Sequence, residues 1–574
     1  MRAVGGWGWV LGLALVTAQG GVFNLDDTGQ PLRWDLVGLP SFVPTNVVNR
    51  QTRAVRFFLA SDAYSVTNRQ AELDAVRASF GQWQSPPGTL LRFEDAGLVS
   101  PGVDINTSDH TNLVFWAKNS TLINGGLDDL SGTLGYAYYS FRDGTLLEAD
   151  IVLNGHDFSW FTDPAHPVKG SYLVEAVALH EIGHFIGLDH SPIGGATLFP
   201  RGGTGLTSQA GLAADEVSAL LYLYPLPGRL QTLGVLQGSV TLNGQAVFGA
   251  VVVAEDSHGN VQAGTLTQPD GTYSMPALPP GQYQVRVTPL DDPGSDPLIS
   301  RYDFAPVYWD ATSTFLPSPA TLSTVGAGLT ATCNVAVDAG QPAFHISRLR
   351  VPSNDIYSWT IINSPISLPL GATQWTVGAY STDFPSSQIT LELTGDGLTV
   401  GSSSLNGSLV TALVSMATNA TPGLRSLSVR HGQSVAWANG FLEIMPPFPD
   451  FNFDGLDDNF QRAYFSPFTR PEAAPDADPD GDGFNNRAEF LAGTNPTNAT
   501  SFLRIEGVSW THSGLVWNWR TLPGKHFQVW TRTDLKTDAW QPLGPAVTAT
   551  NTLAQFAAPA SANIIRFYRL EAIP

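Results

Sequence analysis

One cysteine stands in the whole chain of 574 residues. Cys333 has no second thiol to pair with, so a disulfide framework is excluded and any staples have to be metals. Its run, Ala331-Thr332-Cys333-Asn334-Val335, is strand-like, and the thiol is expected as a core filler. Basic residues are also scarce, with Lys+Arg 29 against Asp+Glu 50 and a formal net charge of -21. That balance argues against nucleic acid or anionic membranes as partners and suits solubility and calcium ligation. Charged residues make up only 14%, while Gly 57 and Pro 41 are abundant, as in secreted β-rich modules with many turns. No apolar run is long enough for a comfortable membrane span.

Residues 1–20 hold Arg2, an apolar stretch from Val4 to Val16 and the small-residue site Ala18-Gln19-Gly20. This is the pattern of a secretory signal, and no cysteine lies near the cleavage site to carry a lipid. The mature chain is expected to be secreted and extracellular, with no membrane span. At this length several domains are expected, each with its own core.

The most specific stretch is His180-Glu181-Ile182-Gly183-His184-Phe185-Ile186-Gly187-Leu188-Asp189-His190. It ends an apolar run from Tyr172 to Leu179 that reads as a buried helix. His180 and His184 are four apart, so both imidazoles leave one helix face. Glu181 leaves about 100° round from His180, where it can address a water on a shared metal. Gly187 can take the left-handed conformation that ends a helix and turn His190 back to the same ion. Three neutral imidazoles with one open position form a catalytic zinc arrangement, not a closed structural one. Chance would place these residues at these offsets on the order of 10⁻⁵ times in such a chain, which sets aside coincidental core histidines.

The stretch resembles the signature of the metzincin zinc endopeptidases, HExxHxxGxxH followed by a Met-turn. Ser191 after the third histidine is similar to the matrixin branch. Ala196-Thr197-Leu198-Phe199-Pro200 resembles the matrixin Met-turn, with Leu198 where methionine is expected. Leu for Met nearly conserves volume under the histidines, a swap that costs less than about 1.5 kcal/mol. The resemblance covers 31–225. It implies an α+β catalytic domain, zinc on His180, His184 and His190, and Glu181 as general base. It also implies an endopeptidase acting on peptide or protein. The expected elements are a strand over 55–59, a helix over 71–80, a strand over 113–116, a strand over 149–154 along the substrate cleft, and a closing helix over 214–222. His156 and His166 lack the carboxylate and histidine spacing of a structural zinc site and read as surface histidines. The cysteine latch of many matrixins is missing, since the lone thiol lies far downstream.

Residues 229–340 carry short strand-and-turn segments, among them Gly249-Ala250-Val251-Val252-Val253 and Leu278-Pro279-Pro280-Gly281-Gln282-Tyr283. They resemble the carboxypeptidase-regulatory or transthyretin-like sandwich. Residues 341–446 alternate apolar and polar in short runs that suit an immunoglobulin-like sandwich. The stiff Met445-Pro446-Pro447-Phe448-Pro449 then leads into 447–500.

Asp478 to Glu489 matches the calcium-loop pattern D-x-[DN]-x-[DN]-G-x₅-E without a mismatch. Asp478, Asp480 and Asp482 supply oxygens, Phe484 its carbonyl and Glu489 a bidentate carboxylate, while Gly483 permits the turn. An upstream copy, Asp450, Asn452, Asp454 and Leu456, is weaker because Gln461 stands at the twelfth position. The pair resembles dockerin and thrombospondin type 3 repeats. Residues 501–574 are β-patterned and aromatic, which suits a packed core or a carbohydrate or surface contact. The expected whole is an α+β metzincin catalytic domain (21–228), then all-β sandwich modules and a small calcium-loop module. It would act as a secreted zinc and calcium endopeptidase of extracellular proteins. A non-catalytic adhesion protein with a remnant peptidase domain, and a zinc hydrolase of cell-wall peptide, are the alternatives.

Overall fold

The structure, a computed structural model, describes residues 23–290, 304–309, 322–340, 343–355, 360–512, 514–559 and 566–574. The signal expected at 1–20 lies outside them. The chain divides into two compact units, Met1–Phe451 and Asn452–Pro574. Among the described residues no helix is long and apolar enough to cross a membrane.

The first unit opens with a five-stranded sheet in the order Phe93–Val99, Val55–Ala60, Leu113–Ala117, Thr145–Asn154 and Gly135–Arg142. All pair in parallel except the last, an antiparallel edge. Leu113–Ala117 is buried at every position, as expected of an apolar run covered on both faces. Helix α1, Arg69–Gln84, packs on α2, Val174–Phe185. The indole of Trp83 donates to Leu179 O (2.9 Å) and the Ser79 hydroxyl to Glu175 O (3.2 Å). Phe80 stacks on Phe57 with centroids 3.9 Å apart and meets Phe185 edge-on at 5.6 Å. These rings clamp α2 between α1 and the sheet, and α3, Ala214–Leu223, closes this region.

Two expectations need correction. Tyr172 and Leu173 begin no helix; Ser171–Leu173 pairs in parallel with Ser159–Phe161, and α2 starts at Val174. An apolar pair reads alike in either state, and here strand pairing takes it. Second, the strand over 149–154 does not run along the cleft. Thr145–Asn154 is flanked on both sides and almost wholly buried, and the edge strand Gly135–Arg142 faces the cleft instead.

A second module follows within the same unit. Gly234–Leu242 pairs with Thr272–Leu278, while Val251–Asp256 lies between Val261–Leu266 and Gly281–Thr288. Leu236, Val252, Val285, Phe304 and Cys333 fill its core. Cys333 is fully buried, as expected of a core filler, and burial pushes its thiol up to about 11. In a third module one sheet holds Arg348–Ser353, Trp375–Tyr380 and Leu409–Met416, and the other Ile366–Pro369, Ser434–Met445, Gly423–His431 and Thr390–Leu393. Val377 and Val410 of one sheet share a core with Leu427 and Leu442 of the other.

The second unit begins with two short helices, α4 (Asp458–Tyr464) and α5 (Asn486–Ala492). Two small sheets follow, built on Gly514–Arg520 and His526–Arg532. Trp519 and Phe527 are fully buried, so a packed core accounts for those rings, whereas Trp510 is 71% exposed. The last strand runs from Phe567 to Ile573, and Ile564 and Ile565 before it lie outside the described residues.

Candidate metal centre

Helix α2 carries His180, Glu181 and His184 on its last two turns. Beyond it Gly187 adopts φ +98, and a Cβ there would stand 2.1 Å from Leu32 O. Only glycine fits both the left-handed backbone and that close approach. Leu188 N donates to Gly183 O (2.9 Å), and the turned chain delivers His190 opposite the helix. The three rings lie 4.8 to 5.2 Å apart between centroids, and one ligand atom from each falls within 4.8 Å of the others.

Backbone carbonyls fix two of the rings. His180 Nδ1 is 2.9 Å from Thr197 O, and His184 Nδ1 is 2.9 Å from Leu188 O. A carbonyl accepts only, so each Nδ1 carries the proton and each Nε2 presents a lone pair. Those two Nε2 atoms are 3.1 Å apart. Burial holds His180 down at about 4. It holds His184 at about 3, with the neighbouring His180 adding to the effect. Burial, with His184 and His180 beside it, also keeps His190 well below the usual imidazole range. Three neutral imidazoles with converging lone pairs are a donor set that a zinc ion fits.

Glu181 is 4% exposed, and burial pushes its carboxyl up to about 8. A Cβ on Gly135 of the edge strand would stand 2.7 Å from Glu181 Oε1, so this glycine makes room for the carboxylate. Sequence reading missed Gly135 because it belongs to no motif; its Gly-Tyr-Ala-Tyr-Tyr strand was the available signal. The histidines and Glu181 line a cleft of about 440 Å³ whose walls include Tyr136, Tyr172, Phe199 and Asn363.

Leu198, 3% exposed, lies under α2, where a Cβ on Gly183 would be 2.5 Å from Leu198 Cδ2. Leucine thus fills the floor that the missing methionine would occupy. Glu216 on α3 accepts from Leu198 N (2.9 Å) and Ala213 N (2.8 Å), tying the floor to the helix. His156 and His166 stay apart from the triad, paired with Asp157 (2.8 Å) and Asp163 (2.7 Å).

In the second unit Asp478, Asp480 and Asp482 offer carboxylate oxygens within 4.8 Å of one another. Asp478 accepts from Gly481 N and Gly483 N (both 2.9 Å), and Asp482 from Phe484 N (2.9 Å). Gly483 has φ +93, the turn expected of it. Glu489 reaches the loop from α5, and both its oxygens are buried without a hydrogen-bond partner, as are Asp480 Oδ2 and Asp482 Oδ2. Burial, reinforced by repulsion from Asp480, Asp482 and Asp478, pushes Glu489 up to about 7.

The upstream copy is different. Asp450 falls in the first unit and Asn452, Asp454 and Leu456 in the second. There Asn452 Nδ2 donates to Asp454 Oδ2 (2.9 Å) and to Gln461 Oε1 (3.0 Å). Gln461 Nε2 donates to the same Asp454 oxygen (2.8 Å), so amide groups occupy this loop's interior. Leu456 N donates to Asp454 Oδ1 (2.8 Å).

No curated protein matches the chain. Among solved structures it is similar to a Bacteroides uniformis protein assigned to carbohydrate binding, with 12% identity over 36% of this chain and 95% of that one (TM-score 0.14). The Bacillus anthracis TIE protein shows 11% identity over 60% of this chain and 48% of its own (TM-score 0.14). Fervidolysin from Fervidobacterium pennivorans, a keratinolytic enzyme related to subtilisin, shows 13% over 58% and 55% (TM-score 0.13). The chain spans about half the length of these last two. TM-scores this low carry no argument. Residues 235–291 match the model of the carboxypeptidase regulatory-like domain. Residues 50–225, which hold all three histidines and Glu181, match the model of the matrixin family.

Proposed function

We propose that the chain is a secreted zinc endopeptidase that hydrolyses peptide bonds of extracellular proteins, and that it holds calcium in the Asp478–Glu489 loop. The single observation that carries the catalytic reading is the convergence of three neutral imidazoles beside a buried carboxylate in an open cleft. The secretory pattern of residues 1–20 supports export. The segments 21–228, 229–340, 341–446, 447–500 and 501–574 are taken as peptidase, regulatory-like sandwich, immunoglobulin-like sandwich, calcium repeats and C-terminal β module. The calcium reading rests on the unpartnered oxygens of Asp480, Asp482 and Glu489.

His180 and His184 would hold the ion through the nitrogens that their backbone bonds leave free, with His190 as the third ligand. Zinc so bound supplies a Lewis acid that acidifies water and polarises a carbonyl. Glu181 takes a proton from the attacking water at a carboxylate oxygen and returns it to the leaving amine. The Thr197 and Leu188 carbonyls keep the His180 and His184 imidazoles oriented throughout.

Cleavage of an unbiased peptide library by the zinc-loaded full chain tests the reading. Glu181→Gln should retain zinc and lose at least about 10²-fold in kcat, because the base is not a ligand. A zinc-loaded wild type that cleaves nothing would sink it.

A further inference from the structure

The loop between His190 and α3 is held by residues that come far later in the chain. Ile193 is fully buried, in space that two glycines leave open. A Cβ on Gly264 would stand 2.4 Å from Ile193 Cδ1, and one on Gly440 2.3 Å from its Cγ2. Gly194 N donates to Asn439 O (2.9 Å) and Gly195 N to Gly440 O (2.8 Å). A side chain at Gly194 would strike the ring of Phe441 at 2.2 Å, and Phe441 meets Phe199 edge-on at 5.1 Å. From the second module, Gly264 N donates to Asp215 (2.8 Å), which also accepts from the Ser191 hydroxyl (2.6 Å). The loop that carries Leu198 therefore sits in a socket formed by both β modules, packed at interior density.

This docking brings the bend after Ile361–Ile362 of the third module to the rim of the zinc cleft. Ser364 is buried there, its Oγ 2.9 Å from where a Cβ on Gly203 would be. Asn363 beside it is exposed and lines the cleft that holds the histidines and Glu181. With Phe199 and Arg201, Asn363 also lines a second cavity of about 420 Å³, whose far wall is the third module's strand Ser434–Met445. Asn363 thus stands on the wall that the two cavities share.

We infer that Asn363 is a specificity-determining residue of the peptidase cleft, contributed by the third β module. An extended peptide running from the zinc cleft toward the second cavity passes this amide. An uncharged side chain with two donors and one acceptor favours a hydrogen-bonding group there and sets the size that can pass. The inference rests on the peptidase reading.

The test uses the zinc-loaded full chain with Asn363→Ala, Asn363→Leu and Asn363→Trp. Relative kcat/KM between library peptides that differ at one position should shift by about 10- to 200-fold, with tryptophan narrowing the range of accepted side chains. Zinc content and hydrogen exchange across Val174–Phe185 should stay at wild-type values, because the residue is exposed and is not a ligand. Binding of two probes provides a readout that needs no turnover. Acetohydroxamate should bind every variant alike, while a peptidyl hydroxamate should change its Kd in step with the library. Unchanged preferences together with an unchanged peptidyl hydroxamate Kd would overturn the assignment. So would a parallel loss against every peptide. If the wild type cleaves nothing, the peptidase reading fails, and the hydroxamate pair still decides whether Asn363 lines the binding path.

Discussion

Glu255→Ala should destabilise the first unit by about 3 kcal/mol or more. Glu255 and Arg286 are each 1% exposed and form a two-point ion pair at 2.8 and 2.9 Å. Removing one partner of such a pair strands the other charge, which costs about 3–5 kcal/mol. The lower end applies here, because Arg286 keeps its bonds to Tyr308 (3.1 Å), Ser426 (2.8 Å) and Asn439 (2.9 Å). It also keeps the face of Trp437, 3.8 Å from its guanidinium carbon. A chain of several modules does not unfold in one step, so the assay should be local hydrogen exchange. Amides of Val251–Asp256 and Gly281–Thr288 should exchange about a hundredfold faster in the variant. The double variant Glu255→Leu, Arg286→Met should return most of that loss, since apolar groups of similar volume replace a buried pair at little cost. A loss below about 1 kcal/mol in Glu255→Ala, or a double variant as weak as the single, would refute the reasoning.

Three further outcomes follow from the geometry. Gly135→Ala places a methyl 2.7 Å from Glu181 Oε1, so kcat should fall at least tenfold while metal analysis still finds full zinc. Asp215 and Glu216 are held by burial at about 6 and about 8, above their unfolded values, so the folded state binds more protons than the unfolded. The contribution of these two groups should therefore be present in full below about pH 4 and decline toward pH 8, by at most about 1.4 kcal/mol per pH unit per group; the pH dependence of hydrogen exchange in α3, compared between wild type, Asp215→Asn and Glu216→Gln, reads that slope. Calcium at a hundred times its Kd should stabilise the second unit by about 2.7 kcal/mol and suppress proteolysis across 476–490, with zinc content unchanged by calcium-selective chelation; an identical digest with and without the ion would count against the loop.

The histidine site was legible because its information is local. Helical spacing fixes His180, Glu181 and His184, and one left-handed glycine fixes His190. The clustering of Asp478, Asp480 and Asp482 and the turn at Gly483 were legible for the same reason. The edge strand was not, since Gly135 and Tyr136 join the cleft only through pairing with Leu153 and Val152. Tyr172 and Leu173 were misread because two apolar residues carry no period by which to choose helix or strand. Least legible was the socket around Ile193. Gly194, Gly195, Gly264 and Gly440 look like turn glycines in the chain, yet three of the four serve close approach between modules rather than a left-handed backbone. Gln461 was visible as a departure at the twelfth position, but not its reach across to Asp454.

The socket also imposes an order in time. Chains are made from the N-terminus at roughly 5–20 residues per second, so Ile193 leaves the ribosome more than about ten seconds before Gly440 does. Through that interval the histidine helix and its sheet can form from their own contacts, while the loop under them lacks the strand that receives Gly194 and Gly195. Its pairing is among the most distant in sequence of the whole first unit, and contacts of that separation close late because their entropy has to be met first. The wall that Asn363 adds to the histidine cleft is therefore expected to close after the triad itself has formed.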